Sequence, residues 1–210
     1  MLTGKEWSLI LAGYVAGCFT AGYYYVRWRT GRDIRELGSG SVGARNVGRA
    51  VGWGGFVVTF LADFGKGALV TGVGLHFGFR AEVIVAAMLA VVVGHNWPMQ
   101  LRFHGGKGIA TSFGAVIAYD PFVALVLVGL FAPVYFVMRN FTLSGLLAFA
   151  LSPLVVFLWG AENAEVAALS FLAILALVSH RKNIREEIAR SFPHRPVKAV
   201  PMHTDQEPKP

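Results

Sequence analysis

Residues 121–159 read PFVALVLVGLFAPVYFVMRNFTLSGLLAFALSPLVVFLW, two long apolar runs joined by Arg139-Asn140. A helix needs ~20 mostly apolar residues to cross the hydrocarbon core of a bilayer. By that measure 121–138 and 142–159 are a pair of membrane helices. Working outward, the same rule finds 7–26, 51–77, 81–98, 108–119 and 163–179. The segment 108–119 is short. Asp120-Pro121 divides it from the next, because a residue before proline is pushed out of the α region. The fold class expected is all-α, a polytopic membrane protein with about seven transmembrane helices.

Composition agrees with this reading. Of 210 residues 55% are hydrophobic and 15% charged, where a soluble domain carries about 25% charged residues, and the mean hydropathy is +0.55. The net charge of +7 would suit a nucleic-acid partner only if the basic residues formed a patch, and instead they flank the apolar runs. Cys18 is the single cysteine. It lies in the first run, can form no intrachain disulfide, and reads as packing. No cleavable signal is expected, since Lys5 and Glu6 leave a weakly charged n-region and no small-residue cleavage site precedes the arginines after Val26.

Cytoplasmic loops carry an excess of Lys and Arg. With the N-terminus outside and the C-terminus cytoplasmic, 16 of the 19 Lys and Arg fall inside, two outside (Lys5 and Arg80) and one, Lys66, within a helix. The inverted topology breaks the rule. The organisation expected is a transmembrane catalytic domain over 1–190 and a polar, Pro-rich cytoplasmic tail over 191–210, whose composition predicts disorder. No internal repeat is evident.

Three polar clusters interrupt the apolar chain, all on the expected cytoplasmic side. The first is GSGSVGARNVGR at 38–49, with Ser39, Gly40, Ser41, Gly43, Arg45, Asn46 and Arg49 as candidate phosphate ligands. Glycines turn backbone N–H groups into a concave nest, and hydroxyls and guanidinium add donors. Taken alone, such a stretch favours a flexible basic loop against anionic lipid. The second is GHNWP at 94–98 followed by RFHGGKGIAT at 102–111. It has the Gly-Lys of a phosphate loop, but Gly108 stands where a Walker loop needs Ser or Thr, so ATP is not expected. Lys107 with the N–H groups of Gly105, Gly106 and Gly108 suits a phosphate, with Thr111 one turn on. His95 reads as either a phosphate ligand or a structural histidine. The third is HRKNI at 180–184, where Arg181 and Lys182 are expected as a topology anchor and Arg181 is also a candidate phosphate ligand. His180 and Asn183, three residues apart, share a helix face. Asp63 and Lys66, also three apart, are expected to pair within the bundle, because unpaired charge in hydrocarbon is costly.

Together the clusters resemble the bacterial membrane glycerol-3-phosphate acyltransferases that use acyl phosphate as donor. The family patterns GSGNxGATN, GHxxPxxxxFKGGKGxAT and HRxNI compare with GSGSVGARN at 38–46, GHNWPMQLRFHGGKGIAT at 94–111 and HRKNI at 180–184. The similarity runs from the first helix to about Glu187. Ser41 replaces an Asn, Arg45 a Thr and His104 a Lys. Thr142 takes the place of the first residue of a serine pair, with Ser144 close by. The resemblance implies transfer of a fatty acyl group from acyl phosphate to the C1 hydroxyl of glycerol 3-phosphate, giving lysophosphatidic acid and phosphate. Lys107, His180 and Asn183 would be catalytic. It implies no cofactor and no metal, membrane lipid as surroundings, no nucleic acid, a monomer, and a site facing the cytoplasm from the bacterial inner membrane. A transporter of a small organic phosphate also needs a basic Gly-rich site. Transport sites, however, sit near the midplane between repeats, and these clusters crowd one face. A noncatalytic scaffold would not need Lys107, His180 and Asn183 together.

Overall fold

A computed structural model describes residues 1–185. The chain divides into two units, Met1–His180 and Arg181–Pro210, each taken by itself. Of the second, residues 181–185 are helical. The expected tail, 191–210, lies outside the described residues.

The first unit is helical throughout: α1 (Gly4–Cys18), α2 (Ala21–Thr30), α3 (Ala44–Val51), α4 (Trp53–His76), α5 (Ala81–Asn96), α6 (Ile109–Tyr119), α7 (Pro121–Met138), α8 (Phe141–Leu158) and α9 (Asn163–Ser179). Local chemistry sets several of the ends. Thr3 and Glu6 form a reciprocal capping box at α1, which satisfies two N–H groups the first turn would otherwise leave bare. Asp120 caps α7 by accepting from Phe122 N at 2.7 Å, with Pro121 in the first turn, where a missing N–H costs nothing. Asn140 caps α8 through Leu143 N at 3.1 Å. A two-residue turn, Arg139-Asn140, therefore joins α7 to α8.

Helix α5 is central, packing against α1, α4, α6 and α9. Val83, Met88, Val91, Val92, Leu169 and Leu172 form the middle of the main apolar core. Backbones meet closely where side chains are absent. A Cβ on Gly17 would strike the Val91 carbonyl of α5, and one on Gly114 would strike Phe64 of α4. Such small-residue crossings are how helices associate in lipid, where no hydrophobic force drives them together.

Two expectations are corrected. The first apolar run is not one helix: it breaks at Phe19-Thr20, both in extended or irregular backbone. The second starts later than expected, because the basic stretch before it is the separate helix α3, parted from α4 by Gly52 at φ 87°. Among the described residues, five stretches are long and apolar enough to span a membrane: Gly4–Thr30, Trp53–His76, Ala81–Leu101, Pro121–Met138 and Phe141–Leu158. Helix α6 has 11 residues, about 16 Å at 1.5 Å per residue, and α9 has 17. Both are apolar, and α6 alone cannot reach across a core about 30 Å thick.

A second, smaller core lies beneath the first cluster. Val26, Ile34, Val42, Val47 and Leu101 are buried together. The polar stretch between the first two spans is thus a folded cap.

Candidate active site

The break at Phe19-Thr20 frees carbonyls that a continuous helix would use, and in lipid each unsatisfied one costs several kcal/mol. Lys66 Nζ, from α4, donates to Gly17 O at 3.1 Å and Phe19 O at 2.9 Å, and Gln100 Nε2 donates to Cys18 O. Lys66 Nζ also stands 2.9 Å from Asp63 Oδ1 and 2.8 Å from His95 Nδ1. The expected Asp63–Lys66 pair is present. It is part of a larger buried node that the sequence did not reveal, because its partners lie 29 to 49 residues away.

The second cluster folds back on the end of α5. After a 3-10 turn at Met99–Leu101, Arg102 and Phe103 take positive φ, reversing the chain so that Gly105 N donates to Asn96 O at 3.1 Å and Gly106 N to His95 O at 3.0 Å. The loop thereby caps α5 with its own backbone. Gly106 lies so close to His95 that a Cβ would fall on Nε2. Gly108 opens α6 at φ 80° with no side-chain cap, so the first N–H groups of α6 adjoin Lys107. Asn96 Nδ2 reaches Ser179 Oγ at 2.8 Å, tying this corner to α9.

The first cluster is organised by one side chain. Asn46, 3% exposed, accepts from Ser39 N at 2.9 Å and donates to Leu37 O at 2.8 Å and Ser41 O at 2.9 Å. Ser41 Oγ accepts from Gly43 N at 3.3 Å. Arg35 joins the two clusters by donating to Leu101 O at 3.0 Å while paired with Asp33 at 2.6 Å. The Arg35 guanidinium holds the Asp33 carboxyl below the usual carboxylate range. Sequence reasoning missed Arg35 and Gln100; only the Asp33-x-Arg35 spacing hinted at the first.

The clusters then converge. Arg45, exposed on α3, donates from Nη1 to Thr142 Oγ1 at 2.5 Å and lies 5.1 Å over the Phe141 ring. Arg45, Gly48, Arg49, Trp53 and Phe56 line an open cavity of about 260 Å³. His180 ends α9 and is 5% exposed, with Nδ1 donating to Ala176 O at 2.8 Å. Burial pushes its pKa down to about 4; the Ala176 carbonyl opposes this, and the charges of Lys107 and Arg45 add to it. His180 is therefore a neutral imidazole at pH 7 with Nε2 as its acceptor. Arg45, Lys107, Thr142 and His180, drawn from three clusters and the α7–α8 turn, share one end of the bundle.

Four residues expected to touch phosphate are placed otherwise. Asn46 spends its amide on the loop, and His95 is 3% exposed against Lys66. Thr111 is fully buried in α6 against Gly67 of α4. Ser144 is fully buried, bonded to Asn140 O at 2.8 Å. Ser39, Gly40, Ser41, Gly43, Arg49, Gly105, Gly106 and Gly108 stay on the two loops and α3. Arg181 and Asn183 fall in the helical stretch 181–185 of the second unit and enter the reading through the sequence alone.

Fold and site together define a helical integral membrane protein with two glycine-bearing loops and basic side chains gathered at one end. The model of the family described as glycerol-3-phosphate acyltransferase matches residues 7–190, and the chain belongs to that family. Glycerol-3-phosphate acyltransferase 1 of Desulfitobacterium hafniense (strain Y51) is 40% identical over 188 residues, covering 89% of this chain and 93% of its own. The glycerol-3-phosphate acyltransferase of Parasynechococcus marenigrum (strain WH8102) is 40% identical over 185 residues, covering 88% and 87%. The fold is similar to the crystal structure of the integral membrane glycerol 3-phosphate acyltransferase PlsY (YgiH) in its glycerol 3-phosphate form, with a TM-score of 0.82 at 31% identity, covering 89% of this chain and 94% of that one. The lysophosphatidic acid form gives 0.80 at 30%, covering 89% and 93%.

Proposed function

We propose that this chain transfers a fatty acyl group from acyl phosphate to the C1 hydroxyl of glycerol 3-phosphate, releasing lysophosphatidic acid and inorganic phosphate. The observation that carries the reading is the convergence of Arg45, Lys107 and neutral His180 beside two glycine-bearing loops. Two phosphate-bearing substrates require two anion sites, and the α3 side and the α6 side each offer one. On the α3 side Ser39, Ser41, Arg45, Arg49 and Thr142 serve one phosphate, the Gly40 and Gly43 N–H groups being bonded within the loop. On the α6 side Lys107 and the first N–H groups of α6 face the other, the Gly105 and Gly106 N–H groups being bonded to the end of α5.

Acyl phosphate is already activated, so one step suffices. The glycerol hydroxyl oxygen attacks the acyl carbon, the ester bond forms, the acyl C–O bond to phosphate breaks, and the hydroxyl proton passes to a departing phosphate oxygen. A histidine titrating near 4 is too weak a base to hold that proton at pH 7, and His180 instead accepts and orients the attacking hydroxyl through Nε2. Lys107 stabilises charge growing on the leaving phosphate. Asn183 and Arg181 complete the set by the HRKNI pattern.

The charge distribution supports a cytoplasmic site in the bacterial inner membrane, with seven crossings, the N-terminus outside and the C-terminus inside. The chain is taken to act as a monomer. The decisive assay combines purified protein, glycerol 3-phosphate and acyl phosphate, with phosphate release and lysophosphatidic acid as readouts. Uptake of an organic phosphate into vesicles without acyl transfer would replace this reading with a transporter.

A further inference from the structure

Lys66 and His95 sit in the interior, away from the open ends of Arg45 and Arg49, yet His95 touches the loop that carries Lys107. His95 Nδ1 stands 2.8 Å from Lys66 Nζ and 3.3 Å from Asp63 Oδ1, and its Nε2 faces Gly106. His95 thus meets the loop twice, through its ring and through the 3.0 Å bond from Gly106 N to its carbonyl. On its other side Lys66 is anchored to Gly17 O and Phe19 O at the break between α1 and α2, and to Asp63. One continuous chain of polar contacts runs from the first membrane segment to the residue before Lys107.

From this geometry we infer that Lys66 and His95 are positioning residues for Lys107: a buried brace, fixed to the α1–α2 break, that sets where the Gly105–Gly108 loop and the start of α6 stand. The inference rests on the role given to Lys107 above. Stability alone is a poor reason for such a node, since well-packed apolar side chains in place of a buried ion pair often leave stability equal or higher. Position is a better one, because a displacement of ~1 Å in a catalytic group can cost about 100-fold in rate.

The test uses the full-length enzyme in detergent and compares kcat, KM for each substrate and the thermal midpoint. Asp63→Leu/Lys66→Met removes both charges together, so no buried ion is stranded. It also removes the donor of Gly17 O and Phe19 O, so a lowered midpoint is expected together with a loss of about tenfold or more in kcat/KM. Combined with Lys107→Arg, it is expected to lose little beyond Lys107→Arg alone, because both changes disturb one group. His95→Gln, which can accept from Lys66, should keep activity within a few-fold, whereas His95→Phe, with ring bulk and no nitrogens, should behave like the double variant. This pair carries the test if the double variant fails to fold. Normal kinetics in folded Asp63→Leu/Lys66→Met or His95→Phe, equal activity of the two His95 variants, or losses that multiply with Lys107→Arg would overturn the brace. If Lys107→Arg itself is unimpaired, the assignment of Lys107 falls instead.

Discussion

The two glycine-bearing loops face the same end of the bundle and are built on opposite plans. The loop at 38–46 hangs on one side chain, Asn46, whose amide satisfies three backbone groups within hydrogen-bond distance. The loop at 105–108 is held by backbone pairing to the end of α5 and by a ring pressed beneath it. A loop with one organiser can be lost by one substitution. A loop whose hold is shared with a helix end is harder to unmake and easier to displace. The first plan puts fragility in folding, and the second puts it in rate.

The largest effect should come from the second loop. Lys107→Ala is expected to cut acyl transfer by on the order of 100-fold or more, since a charge-assisted contact is worth ~1.5–3 kcal/mol and gains in the transition state. Lys107→Arg should recover only part, its planar fork donating in a different geometry. Phosphate release from folded protein measures both, and a near-normal Lys107→Ala enzyme would strip this loop of its role.

Asn46→Ala should reverse the pattern by acting on stability before chemistry. Three lost hydrogen bonds at about 1 kcal/mol each predict a loss of ~2–3 kcal/mol, read as a lowered thermal midpoint. Asn46→Asp keeps the acceptor for Ser39 N and should fall between. If Asn46→Ala melts like the parent and fails only kinetically, the contrast between the loops collapses.

Arg45→Ala sharpens the comparison where the first loop meets the α7–α8 turn. The side chain is exposed and its bond to Thr142 lies at the rim, so a KM rise of about tenfold is expected with little change in melting. Thr142→Val should show a smaller part of the same rise. A kcat effect with KM unchanged would place Arg45 on the reacting atoms.

Acid should act through His180. Its folded pKa near 4 lies below the ordinary 6.5, so between those values the unfolded chain binds the extra proton. Stability is full above pH 6.5, falls as the pH drops through this window and is lowest below about 4, by ~1 kcal/mol at pH 5.5. Melting of the parent and of His180→Asn across pH 7 to 5 checks it; equal slopes would remove His180 as the cause. Least of all, truncation after Ser191 should leave activity unchanged, as its Pro-rich polar composition implies; loss of activity in a folded, truncated protein would bring the tail into the site.

Hydropathy made the apolar segments legible because lipid imposes length and composition at every span. The break at Phe19-Thr20 was not legible. Neither residue is a helix breaker, and the donor that permits the break, Lys66, is 47 residues from Phe19. Helix α3 was hidden for another reason: it has only 8 residues, and packing of Val47 against Val26, Ile34, Val42 and Leu101 is what makes it fold. For the candidate site, motif and spacing offered Lys107 and His180. Asn46 and His95 share the polarity of ligands, and only their burial shows that they serve the protein's own backbone.

The interrupted first segment also bears on biogenesis. When α1 and α2 first enter the bilayer, no lysine is there to receive the carbonyls of Gly17 and Phe19, and a straight helix is the only arrangement that leaves none bare. The interruption can form only once α4 has arrived beside it carrying Lys66. The ion pair on α4, costly for a lone segment in lipid, finds its full set of partners in the same event. The kink is thus made by assembly, and its presence in a nascent chain would report that the first two spans have already met.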